Sequence, residues 1–282
     1  MDYKDINNKP HLLSKIDELT QDINTLLKSK AEEDICSYKK SALIYYWLRD
    51  YKNYLKNEQT FNSKYLPEFE RGSIVNVNFG FNIGSEFGGL HYAVVLARSS
   101  KTNPNLIVLP LKSLKNHEKK LHTSELLLGT ELYNRLYGKQ VALKLSIKEE
   151  MSNLFKRKDS AEKHYALIEK IQADNKEENA NLDKLHEQLN SEITSLEQEL
   201  DLQEKRVSLL ESIGTELSKM KMGSIALVSQ IKTISKMRVK NPTNMNDVLY
   251  GIKLSTSNMT AIDEKIIEIY TNKHLPKTIY VV

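Results

Sequence analysis

Hydrophobic residues recur every three or four positions near the start of the chain. Leu12, Ile16, Leu19, Ile23 and Leu26 or Leu27 form a stripe that predicts an amphipathic helix, with Pro10 just ahead as a start signal. A second helix is predicted over about 35–55, where Tyr38, Tyr45, Tyr46, Trp47, Tyr51 and Tyr54 alternate with Lys39, Lys40, Arg49, Lys52 and Lys56. Rings among bases either stack on single-stranded nucleic acid or form a packing face, and the helical spacing favours packing. After Pro67 the texture becomes short β-prone runs over 72–79, 91–97 and 106–111, punctuated by glycine and proline. Such runs predict a small antiparallel barrel or sheet.

From about Ser146 to Met220 the chain is rich in Glu, Lys, Leu and Gln. Leu182, Leu185, Leu189, Ile193, Leu196, Leu200, Gln203, Val207, Leu210, Gly214 and Leu217 follow at coiled-coil spacing, with Gln203 and Gly214 as weak members. An upstream arm carries Leu154, Tyr165, Ile168 and Ile171 and leads into the polar stretch 172–181. Either this stretch turns and the arms form a helical hairpin, or the helix runs on and pairs with a second chain. The hairpin is favoured, because an insertion must return the chain to the barrel it left. β texture resumes over 223–229, a helix is predicted near 261–270, and 278–282 reads as a last strand.

The formal charge is only +4, but it is unevenly spread. Segments 1–61, 62–145, 146–221 and 222–282 carry nets of 0, +5, −5 and +4. A basic module interrupted by an acidic insertion fits this distribution, so the domains are read as N-terminal helices, first part of the barrel, coiled-coil insertion, and second part of the barrel with its terminal helix. At 40% hydrophobic the chain can bury a core, which excludes wholesale disorder, and no apolar run approaches the roughly 20 residues of a membrane-spanning helix. The start has no signal-peptide design and Cys36 is alone, so a reducing cytoplasm is the expected compartment.

Three segments together resemble the MazF/PemK (Kid) family of toxin endoribonucleases. The stretch 71–96, with its Gly84-Ser85-Glu86 loop and Gly88-Gly89 pair, is similar to the family's first two strands and their connecting loop. Leu106-Ile-Val-Leu-Pro-Leu-Lys-Ser113 is similar to the third strand, and the run from Ser224 to Arg238 to a late strand. The match covers about 71–115 and 222–270, roughly a third of the chain; the N-terminal helices and the coiled coil have no counterpart in the usual compact member. The resemblance implies an α+β protein with an SH3-like barrel, here split by a helical hairpin. It also implies a homodimer, metal-independent cleavage of single-stranded RNA such as mRNA, and neutralisation by an antitoxin protein. The acidic insertion or the N-terminal helices could cover the RNA groove in an antitoxin's place.

RNA cleavage by its own 2′-hydroxyl needs a proton acceptor, a donor for the leaving oxygen, and groups that stabilise the phosphorane charge. The resemblance assigns Glu86 to the family's loop glutamate, His91 to its arginine position and Lys112 to its threonine position, with Ser113 following. Histidine serves as acid or base near neutral pH and lysine stabilises negative charge, although neither grips phosphate bidentately as arginine does. Without such chemistry the glycines merely form a tight loop, Glu86 caps it and His91 faces solvent. Arg98, Lys101, Lys115, Gln230, Lys232, Lys236 and Arg238 are candidate contacts to RNA backbone, or else a solvated basic face.

No Walker A, paired-cysteine or His-Glu-x-x-His pattern is present, and His117 with His122 makes a poor metal pair, so no cofactor or metal is implied. Two readings of function stand: an endoribonuclease of MazF/PemK type, or a catalytically degenerate barrel that binds nucleic acid or protein.

Overall fold

A computed structural model describes residues 2, 4–115, 120–174 and 180–271; His117 and the strand expected over 278–282 lie outside the described residues. Helices α1 (Lys9–Glu33) and α2 (Ile35–Asn57) form an N-terminal hairpin. Asp34 separates them and caps α2, accepting hydrogen bonds from the backbone of Cys36 and Ser37. Trp47 on α2 packs against the sheet at Gly80, while Tyr38, Tyr45 and Tyr46 stay exposed, so the aromatic face is only partly a packing face.

Strands β1 (Ile74–Asn78), β2 (Leu90–Val95), β3 (Asn105–Ser113), β4 (Glu125–Gly129), β5 (Ser224–Leu227), β6 (Lys232–Ser235) and β7 (Val239–Asn241) form one antiparallel sheet in the order β4-β5-β3-β2-β1-β7, with β6 also on β3. The long β3 carries two ladders along one side: its first half pairs with β6 and its second half with β5. A 3₁₀ turn, Lys236–Arg238, leads from β6 directly into β7 on the far side of β1. Alternation then sorts the strand residues. Val75, Val77, Ala93, Val95, Leu106, Val108, Ile234 and Val239 gather in one core, and Ile74, Val94, Leu109 and Leu111 in another on the opposite face. Each fully buried aliphatic side chain contributes about 1.5–3 kcal/mol.

The second core is closed by helices. α3 (Glu131–Asp174) and α4 (Ala180–Lys219) connect the neighbouring strands β4 and β5 as a long hairpin, and α5 (Thr256–Tyr270) packs beside them. Leu132 and Leu136 at the root of α3, Ile213 and Leu217 at the root of α4, and Met259 and Ile262 on α5 all join that core. The helix that carries the first arm thus starts at Glu131, upstream of Ser146, and the roots of both arms pack in the body of the protein.

The arms are antiparallel, as Gln140 against Gly214, Glu150 against Arg206 and Arg157 against Glu199 show. The two weak seam positions have definite roles. Gln203 is buried and donates to Glu150, and Gly214 leaves room for Gln140, whose amide nitrogen lies 3.1 Å from where a Cβ would sit. The class is α+β, and no helix among the described residues is long and apolar enough to cross a membrane.

Candidate active site

The glycine-rich loop between β1 and β2 is pinned at its neck. Phe79 donates its backbone N–H to Gly89 (2.8 Å) and Gly89 donates to Gly80 (2.7 Å). The two chains pass so closely that a Cβ on Gly88 would stand 2.6 Å from the Gly80 carbonyl oxygen, inside any contact distance that backbone tolerates. From the opposite side Lys232 donates to the Phe87 carbonyl (3.1 Å), and the Phe87 N–H donates to the Gln230 side chain (3.4 Å). Both residues, expected to touch RNA, therefore hold the loop. Glu86 sits exposed within it, away from the cleft described next.

That cleft, of about 220 Å³, opens where the ends of β1, β2, β3 and β5 meet the last turn of α4. Ser113 lines it together with Asn76, Tyr92, Glu216, Met220 and Lys221, and His91 and Lys112 border it; strand alternation turns the side chains of these last two to the opposite face, His91 against Phe87 and Lys112 toward Glu125. His91 is half-buried, its ring centroid 4.4 Å from that of Phe87. Burial pushes its pKa below the ordinary histidine value, and a hydrogen bond with the Gly88 backbone only partly opposes this. Lys112 extends its ammonium to Glu125 at the start of β4, 2.9 Å away. Tyr92 donates its hydroxyl to Glu216; its burial and that carboxylate both push the phenol pKa up, so the group stays a neutral donor. The side-chain oxygen of Asn76 is buried with no hydrogen-bond partner among the described residues, which costs about 1–3 kcal/mol unless a ligand or water supplies a donor.

The chain matches no model of a known protein family, and a search of curated proteins gives no match either. What the cleft does must be argued from its own groups. A neutral imidazole can accept a proton, an ammonium can stabilise negative charge, and Ser113 and Lys221 are exposed at the mouth. No group of three or more His, Cys, Asp or Glu able to hold a metal ion occurs among the described residues.

The expected basic groove is not assembled. Arg98 and Lys101 lie in the β2–β3 turn, at the opposite end of those strands from Leu90 and Ser113, and a strand of this length spans roughly 25 Å. Arg98 pairs there with Glu68. Lys236 is only 1% exposed, donating to the Ser100 carbonyl (2.6 Å) over the Phe69 ring, so it is a scaffold residue rather than an RNA contact. Arg238 is engaged likewise: it donates to the Asn78 carbonyl (2.8 Å), and its guanidinium stands 5.3 Å from the centre of the Trp47 ring. Lys115 alone of the expected cations follows β3 at the cleft end, exposed. Sequence reasoning missed Asn76, Tyr92, Glu216 and Lys221. For Tyr92 a signal existed, since it adjoins His91; for Glu216, in an acidic helix, none did.

Proposed function

We propose that the protein is a metal-independent endoribonuclease of MazF/PemK type that cuts single-stranded RNA, acting in a reducing compartment such as the cytoplasm. The observation that carries this reading is that the ends of β2 and β3 bring His91 to the border of the same cleft as Lys112 and Ser113. The strand order β7-β1-β2-β3-β6, with one 3₁₀ turn joining β6 to β7, supports an SH3-like barrel beneath it.

In this reading neutral His91 takes the proton of the ribose 2′-hydroxyl as the 2′-oxygen bonds to phosphorus. Lys112 and Ser113 stabilise the phosphorane charge. The bond from phosphorus to the 5′-oxygen then breaks, and that oxygen takes a proton from solvent at the open mouth. The products are a 2′,3′-cyclic phosphate and a 5′-hydroxyl. Glu86, exposed in the loop, positions RNA rather than moving the proton.

A homodimer and an antitoxin partner belong to the same reading. Incubation of the full chain with mixed-sequence single-stranded RNA in excess EDTA, beside His91→Ala, tests it. Cyclic phosphate ends made by the wild type and reduced at least a hundredfold in the variant are expected. Cleavage that needs magnesium or leaves 5′-phosphates would overturn it. The second reading, a barrel that binds without cutting, has one observation in its favour: Lys112 is already paired with Glu125, 2.9 Å away, which offsets its charge. RNA binding with no cleavage by either protein would favour that reading.

A further inference from the structure

Glu216 reaches the cleft from the helical arm, although nothing in the cleavage step calls for a carboxylate there. Tyr92 donates to its Oε1, and Oε2 accepts no hydrogen bond among the described residues. Beside it stand the buried side-chain oxygen of Asn76, which has no hydrogen-bond partner among the described residues, and the hydroxyls of Ser113 and Ser224. Leu90, Leu111 and Met220 supply apolar surface around them. The wall therefore offers hydrogen-bond acceptors framed by hydrocarbon, while the cation Lys221 stands exposed at the mouth of the same cleft. A matching ligand has a flat apolar body, adjacent donors on one edge, and a phosphate attached.

We propose that the cleft receives a guanine base of the RNA and that Glu216, held by Tyr92, reads its Watson–Crick edge. This rests on the reading of single-stranded RNA as the ligand. Guanine is the one common base with two neighbouring donors on that edge, N1–H and the 2-amino group, which a carboxylate accepts together. Adenine and cytosine place an acceptor beside their donor, and uracil flanks its single N–H with two oxygens. Each of these sets a lone pair against the carboxylate. A well-formed paired contact of this kind discriminates by about 1–3 kcal/mol, which is roughly five- to 150-fold. The arm thus supplies a specificity residue to a site whose chemistry lies on the strands.

The test uses the full chain and short U-rich oligonucleotides carrying one central guanosine, inosine or adenosine. All sugars are 2′-O-methyl, so that binding is read without cleavage, and fluorescence anisotropy gives the affinity. Guanosine should bind about tenfold or more tighter than adenosine, with inosine, which lacks the 2-amino group, between them. Glu216→Gln should abolish the preference while its melting transition remains cooperative. Equal affinity for the three bases in the wild type overturns the proposal whatever the variant does. So does a folded Glu216→Gln that keeps the guanosine preference, as a purely structural Glu216–Tyr92 contact would allow. Guanosine preference without cleavage of unmodified RNA would overturn the nuclease and leave the pocket standing; cleavage without base preference would do the reverse. Failure to bind any RNA overturns both.

Discussion

His91 owes its chemistry to where the strand puts it. Packed against Phe87 and half-buried, it titrates below the ordinary histidine value, so it is neutral at pH 7 and able to accept a proton. The acid limb of the cleavage rate should therefore fall below about pH 6.5, the unperturbed value, and vanish in the residual activity of His91→Ala. A titration of the imidazole by NMR checks the same point, and a midpoint above 6.5 would contradict it. The linkage has a definite sign: the unfolded chain takes up the proton first, so stability falls as pH drops through this window and is unaffected above it. At this scale the motif's spacing places His91 near the start of β2 and Lys112 and Ser113 at the end of β3, and says nothing of their roles. The sequence was uninformative for Lys236 and Arg238. A lysine spent on the Ser100 carbonyl and an arginine beneath Trp47 look like surface cations until their partners, distant in the chain, are known.

Helix α4 has a heptad seam of which only part is used. Leu189, Gln203 and Leu217 are buried toward the hairpin, whereas Leu185, Ile193, Leu200 and Val207 remain 39–47% exposed. Beside them on α3, Phe155 and Tyr165 are also exposed, and with Ile193 and Leu200 they line an apolar groove of about 520 Å³ rimmed by Lys158, Glu162 and Glu197. Apolar residues left exposed beside a seam that is already buried suit a bundle of more than two helices, and a rim of both charges is complementary to itself under two-fold symmetry. A second copy of the hairpin is the expected occupant. Light scattering after gel filtration should give twice the 32.5 kDa chain mass, and Phe155→Glu with Leu200→Glu should return it to one chain mass without lowering the melting temperature. A wild type that stays monomeric at 100 µM would refute this. The seam was legible because its period is long and regular. β4, β6 and β7 were not, being three to five residues each and fixed by pairing to β5, β3 and β1 rather than by their own pattern.

For the whole molecule, the rooting of the arm in the body decides what can be removed. Ile213 and Leu217 lie in the core against the sheet, and losing a buried aliphatic side chain costs about 2–5 kcal/mol, against a total stability of about 5–15 kcal/mol. Deleting 150–220 should therefore unfold the protein, and its inactivity would say nothing about masking. The distal arm is separable: joining residue 156 to 200 through a short turn keeps Leu132, Leu136, Ile213, Leu217 and Glu216, together with the Glu150–Arg206 contact that closes the hairpin above the core. The removed residues, 157–199, carry 6 cations and 11 anions, so the whole net charge of −5 ascribed to the insertion goes with them. If that charge repels RNA from the cleft, the shortened protein should melt cooperatively and bind RNA several-fold faster at 50 mM salt, an advantage that fades at 300 mM where screening is strong. Equal association rates at both salt concentrations would mean that the arm's field does not reach the cleft. The arm's bearing on the site would then be the Glu216 contact at its root.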